Sequence, residues 1–485
     1  MSDSKSISEK LTRVVVDCDL DLVASSTVAM AKSHFLDGLG ITIAGASTPI
    51  GALARRYLEL ERRAEPGAVP SLQEILSPTE RGNCLALEDQ AFLLGSYAFS
   101  ENYGDTSLRS VAHPNTVIVP ALLAAATQRV VTGKRMLSGL LVGYQVMEFL
   151  ARSLNNGTPR MAHQIRGFRP TATCGAAGAA AAIAHVWELD DETTQRVIET
   201  ACNYGGGLRR HGTGVASSIR VQSGEVTRGG VTAVLLAQAG LEGERHMIEG
   251  DGGFFSAYQV GELDMSASDY LPTSSESFCP PRWAIEDVAF KLHCTAHTLA
   301  TALDCILDIR RDHTISPEAV SQIEILVPSQ HVTISASHPY EPPKNSDEAS
   351  GSYPFCSGAV LITGDFMWPD TLAEYLDDES VRRLASLVSI SADPDLSARF
   401  DADSGTWPAR VTIAASGKRF SSERTEPFGT VFDDSVIDQV RRKFVRLVRR
   451  ELPDVTVEDL ISVIDTMEIL GDSYGALSRA AKGGN

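Results

Sequence analysis

The chain has 485 residues, 43% of them apolar and 22% charged, with a formal net charge of −19. That length predicts two domains, and that composition excludes a disordered or fibrous chain. So negative a balance argues against nucleic acid as a partner, and an anionic ligand then needs positive charge gathered locally.

Eight cysteines (Cys18, Cys84, Cys174, Cys202, Cys279, Cys294, Cys305 and Cys356) are scattered, with no CxxC pair. The spacing predicts neither a metal site nor a disulfide framework and fits a reducing compartment. The stretch MSDSKSISEK lacks the apolar core of a secretory signal, and GAAGAAAAIA (175–184) is too short to span a bilayer. A soluble, cytoplasmic protein with no membrane partner is expected.

In chain order, VAMAKSHFLDGLGITIAG (28–45), MLSGLLVGYQVMEFLARSL (136–154) and VTAVLLAQAGL (231–241) carry helical apolar spacing. TCGAAGAAAAIAHVWEL (173–189) is rich enough in Gly and Ala to predict a buried central helix that neighbours approach closely. After Gly250 the pattern changes. DYLPTSSESFCPPRW (269–283) reads as a connector and AFKLHCTAHTLATALDCILDIRR (289–311) as a helix. VSQIEILVPSQHVTIS (320–335) alternates like a strand pair, and ARVTIAASGKRFSSERTE (409–426) reads as a hairpin turning at Ser-Gly. Two helices follow, over 435–452 and 456–471, the second with Thr456 as its N-cap. The expected fold is therefore mainly α: a large all-helical domain built from both chain ends (1–274 and 429–485), with a smaller α+β domain inserted at 275–428.

Four polar segments interrupt the apolar pattern. ENYGDTSLRSVAHPNTV (101–117) holds Asp105 and His113, and MAHQIRGFRPTATCG (161–175) holds Arg166 and Arg169. GGGLRRHGTGVASSIRVQSGEVTRGG (205–230) carries Arg209, Arg210, His211, Arg220 and Arg228, and AFKLHCTAH (289–297) carries Lys291, His293 and His297. Between residues 160 and 228 eight arginines and no lysines face six acidic residues. Arginine forks pair bidentately with carboxylates, and adjacent glycines let backbone approach a ligand. No GxG follows a strand in a βαβ unit, and GxSxG and HExxH are absent, which excludes dinucleotide-fingerprint, serine-hydrolase and zincin readings.

Six segments, DGLGITIAG (37–45), NYGDTSLRSVAHPNTVIVPALLAAA (102–126), GFRPTATCGAAGAAAA (167–182), RVQSGEVTRGGVTAVLLAQAGLEG (220–243), IEGDGGFFSAY (248–258) and FKLHCTAHTLATALD (290–304), recur in one order. In that order the chain resembles the MmgE/PrpD family, which includes 2-methylcitrate dehydratase, cis-aconitate decarboxylase and iminodisuccinate epimerase. The resemblance implies the two-part fold above, with the inserted domain as a lid. It also implies a homodimer and cofactor-independent chemistry on a small anionic carboxylate.

By resemblance, His113, Asp105 and Lys291 are the catalytic candidates. Asn102, Arg169, Arg220, Gln222, His293 and His297 are the substrate-binding ones. Asn102 and Asp105 stand at the family's acidic pair, Arg169 where a histidine is usual, and Ile219 where a lysine is usual; Lys291 matches a lysine opening the lid helix. Arginine keeps an anion site but is a poor proton shuttle. The resemblance implies a citrate- or aconitate-directed lyase, leaning towards cis-aconitate decarboxylation through RVQSG. Alkylcitrate dehydration is the alternative, followed by dicarboxylate epimerisation or a repurposed, non-catalytic anion-binding member.

Overall fold

The computed structural model describes residues 6–62, 85–155, 160–209, 217–258, 265–273, 279–335, 341–403 and 405–482. The chain is mainly helical, as its apolar periodicity predicts. The Ala/Gly-rich segment forms the helix Pro170–Val186, which starts on a proline at its first turn, and all of its residues are buried. It packs against the helices Asn115–Gln128, Gly133–Asn155, Asp191–Cys202 and Ser217–Gln238, so it is the central helix that its composition implies. The helix Ser25–Gly45 packs on Asp434–Val448, which brings both chain ends into one helical layer. Their side chains join one buried apolar cluster running from Leu11 to Ala480.

A second buried cluster lies within residues 41–447 and is dominated by residues after Cys294. Its frame is a four-stranded sheet made of β3 (Val320–Val327), β4 (Val388–Ala392), β5 (Ala409–Ala415) and β6 (Lys418–Arg424), in the order β4-β3-β5-β6. The helix His297–Asp312 packs on β5 and β6. The predicted hairpin is present, with Ala409 paired to Arg424 and Ala415 to Lys418, and the turn residues Ser416 and Gly417 both adopt positive φ. Two earlier strands, β1 (Thr106–Ser107) and β2 (Val288–Ala289), pair antiparallel and tie the 101–117 loop to residues just before the second cluster.

Three expectations about local structure are corrected. The stretch 289–311 is not one helix: only His297–Asp312 is helical. Residues 288–296 are non-helical, the two-residue strand Val288–Ala289 followed by coil and bends, and their backbone bonds go to other segments. Phe290 N–H donates to Gly429 O at 2.9 Å, Cys294 N–H to Met367 O at 2.9 Å, and Ala296 N–H to Ser350 O at 2.8 Å. Residues 320–335 form one strand followed by the helix Ser329–Ser335 rather than a strand pair, Pro328 ending the ladder between them. Thr456 is buried inside the helix Asp454–Asp465, whose N-cap is Pro453.

The glycines of 217–230 serve packing rather than ligand approach, since they lie within the helix Ser217–Gln238. A Cβ on Gly224 would meet Ser96 Oγ at 2.2 Å and Phe92 O at 2.4 Å, and one on Gly230 would meet Ala179 Cβ at 2.6 Å. Arg210 and His211 lie outside the described residues, as does Cys84; Cys18, Cys174, Cys202, Cys294, Cys305 and Cys356 are free thiols. No helix among the described residues is long and apolar enough to cross a membrane, and no group of three or more His, Cys, Asp or Glu among them is placed to hold a metal ion.

Candidate active site

The 101–117 loop is held rigid from below. Asp105 is fully buried, and its carboxylate accepts from Asn115 N–H at 3.0 Å, from His34 Nδ1–H at 2.9 Å and from the Tyr144 hydroxyl at 2.5 Å. Asn115 Oδ1 accepts from Asp105 N–H at 3.0 Å, and Asn115 Nδ2 donates to Asp37 Oδ2 at 2.8 Å. Asp37 pairs with Lys443 at 2.7 Å, both ends about 1% exposed. Lys443 Nζ also donates to Tyr103 O at 2.7 Å and Lys291 O at 3.0 Å. Residues from both chain ends thus fix the backbone at Tyr103, Asp105 and Lys291.

His113 sits on top of this network and is partly exposed. Its Nδ1 lies 2.7 Å from Asp105 O and 3.1 Å from Thr106 Oγ1, and its own N–H donates to Thr171 Oγ1 at 3.0 Å. A carbonyl only accepts, so Nδ1 carries the proton and Nε2 presents a lone pair. Asp105 therefore orients His113 through its backbone carbonyl, while its carboxylate is taken up by His34, Tyr144 and Asn115. Burial, then the charges of Lys291 and Arg169, push His113 well below the usual imidazole range. The resting state is a neutral imidazole with a free nitrogen.

Phe99 gathers the rest. Its ring lies 5.4 Å from His113, with the Arg169 guanidinium 4.0 Å from its centroid and that of Arg220 5.4 Å away. Arg169 is 4% exposed, and its Nη2 has no hydrogen-bond partner among the described residues. Its Nη1 donates to Gln222 Oε1 at 3.5 Å, a weak contact, while Gln222 Nε2 holds Leu208 O at 3.0 Å. Burial, with Arg220 and Arg209 nearby, lowers the Arg169 pKa to about 9, so Arg169 remains a cation near neutral pH.

The other candidates divide. Lys291 is 2% exposed and donates to Asn102 O at 2.7 Å and Asn102 Oδ1 at 3.1 Å, where Asn102 holds a φ of 54°. Burial first, then Arg220 and Lys443, bring its pKa well below the usual lysine value. Lys291 does not open a helix, contrary to expectation; it lies in the non-helical run before His297. Arg220 is already paired, with Nε and Nη2 donating to Asp347 Oδ1 at 3.1 and 2.9 Å. Both ring nitrogens of His293 are occupied, Nε2 by Asp304 Oδ1 at 3.0 Å and Nδ1 by Met367 N–H at 3.0 Å, which leaves it nothing for a ligand. His297 is 6% exposed with neither nitrogen partnered among the described residues, and the Lys291 charge helps to lower its pKa.

Sequence reasoning passed over Phe99, His34, Asp37, Lys443 and Asp347. The signal at Asp37 was a lone charge inside an apolar helix pattern, whereas Lys443 is hidden in a charged run after Arg441 and Arg442. Phe99 carried no such mark.

Two matches now bear on this geometry. Residues 9–265 match the MmgE/PrpD N-terminal domain, and residues 293–469 match the MmgE/PrpD C-terminal domain. The chain belongs to the MmgE/PrpD family. Relatives are named cis-aconitate decarboxylase in Mus musculus, 22% identical over 99% of this chain and 94% of the relative, and in Homo sapiens, 22% identical over 96% and 93%. A third, cis-aconitate decarboxylase-like protein oryM of Aspergillus oryzae (strain ATCC 42149 / RIB 40), is also 22% identical, over 93% of this chain and 92% of the relative. This MmgE/PrpD chain places His113 and Lys291 at the site, sets a buried arginine at position 169, and has Ile219 partly buried beside Arg220.

Proposed function

We propose that the protein is a cofactor-independent lyase on a citrate- or aconitate-like tricarboxylate, of the cis-aconitate decarboxylase type. The observation that carries this is the pairing of two groups around Phe99: the free Nε2 of a tautomer-locked His113, and a buried Arg169 nitrogen with nothing to hold. Family membership and the names of the relatives above support the substrate class.

In this reading Arg169 holds one substrate carboxylate, and Lys291, offered neutral acceptors only by Asn102, holds a second. An anion bound there offsets the two charges that keep His113 neutral, which raises its proton affinity as the substrate arrives. As the C–C bond breaks, CO₂ leaves and its electron pair enters the conjugated system of the remaining acid. The cations stabilise that charge, and one proton is delivered to carbon, from His113 Nε2–H or the Lys291 ammonium. Residues 1–274 and 429–485 act as the helical body and 275–428 as the lid, a division supported by the separate apolar cluster around β3–β6.

Alkylcitrate dehydration is favoured by a different observation: the resting His113 is a base, as proton abstraction at carbon requires. Incubation with cis-aconitate, 2-methylcitrate and citrate separates the two, by CO₂ release against appearance of a conjugated alkene. Turnover of cis-aconitate with CO₂ is expected. Stabilisation by one of these acids with turnover of none would rule out a lyase and leave an anion-binding member.

A further inference from the structure

His331 was not among the residues singled out by sequence, and it is 2% exposed on the helix Ser329–Ser335. Its ring lies 4.9 Å from Trp407 and 4.9 Å from Phe400. The His297 ring meets the same Trp407 at 4.9 Å, edge to face. All four ring nitrogens of His297 and His331 are buried without a partner among the described residues. One such orphan is costly, and four on one tryptophan mark a site completed by something else.

That place is joined to the His113 pocket. Trp407 Nε1 donates to Leu108 O at 2.9 Å, and Arg160 Nη2 donates to the same carbonyl at 2.6 Å, so the wall of the second site rests on the His113 loop itself. The Lys291 charge acts on both His113 and His297, and that of Arg160 on both His297 and His331. Two N–H donors set among aromatic rings and beside the Arg160 cation suit an anionic oxygen.

We propose that His331, together with His297, binds the carboxylate arm of the substrate that lies farthest from Arg169, and so selects a tricarboxylate over a dicarboxylate. This rests on the reading of the His113 pocket given above. His331 is a substrate-binding residue here, with no part in moving the reacting proton.

The test uses the full-length protein and two acids, cis-aconitate and citraconate, which differ only in a carboxylate replaced by hydrogen on the side arm. Isothermal titration is expected to show wild type preferring cis-aconitate. His331→Phe, which keeps an aromatic ring against Phe400 and Trp407, is expected to weaken cis-aconitate binding by about tenfold or more, with citraconate changed by less than about twofold. His331→Gln, retaining a donor, is expected to fall between, and it carries the test if the Phe variant melts early. Unchanged cis-aconitate affinity, or equal losses for both acids, overturns the subsite and leaves the His113 pocket standing. Failure of wild type to bind either acid overturns both.

Discussion

At the scale of single residues, His113 is defined by what its two nitrogens do. Asp105 O fixes Nδ1–H, so Nε2 alone is left for chemistry. Loss of that nitrogen in His113→Ala should lower kcat by roughly 10²–10⁴-fold with an unchanged melting curve, as expected of one acid–base group. The pH profile has a definite sign. Delivery of a proton from His113 needs the imidazolium, so with its pKa held low kcat/KM in the free enzyme should fall as pH rises, through a limb below about 6.5; a base role would give a rise there instead. Arg169→Gln removes one of the cations that depress it, so the limb should move up towards about 6.5 while KM rises. A limb that stays put would show that burial and Lys291 set the value without Arg169.

Secondary-structure elements place these residues through close backbone contact. The helix Ser217–Gln238 carries Arg220 and Gln222 to Phe99, and it lies near Pro170–Val186 because Gly230 has no side chain. A Cβ there would sit 2.6 Å from Ala179 Cβ and 2.8 Å from Ala176 O. Gly230→Ala should therefore lower stability by roughly 1–3 kcal/mol despite alanine's better helix propensity, read as the midpoint of urea unfolding followed by far-UV circular dichroism. A shift to higher urea would mean that the two helices are free to part. The non-helical run 288–296 is the other decisive element. Were it helical, as its residue pattern suggests, Lys291 would not reach Asn102.

Across the whole molecule, the first and last hundred residues meet under the site at Asp37–Lys443. Both groups are fully buried, and burial raises the Asp37 pKa and lowers that of Lys443 against their mutual attraction. Removing one partner strands the other, so Lys443→Met or Asp37→Asn alone should cost about 3–5 kcal/mol. The double variant should recover much of that loss, which a double-mutant cycle on unfolding midpoints would measure. Additive losses would mean that each residue acts through other contacts, such as Lys443 on the carbonyls of Tyr103 and Lys291.

The sequence by itself determined the helical body, the Ser416-Gly417 hairpin and the candidate loop, because these rest on periodicity, turn chemistry and short-range spacing. It also singled out Arg169, His113, Lys291 and His297, which stand in polar breaks in an apolar pattern. Only the tertiary structure decided what each could do. Backbone hydrogen bonds to Gly429, Met367 and Ser350 hold an apparent helix as the non-helical run that delivers Lys291. Asp347, far along the chain, took Arg220, and Asp304 took His293. Trp407 set His297 beside a histidine that no local pattern marked. Partnership between polar groups is a long-range property of burial: a charge or imidazole is free or spent according to which distant residue the fold brings beside it.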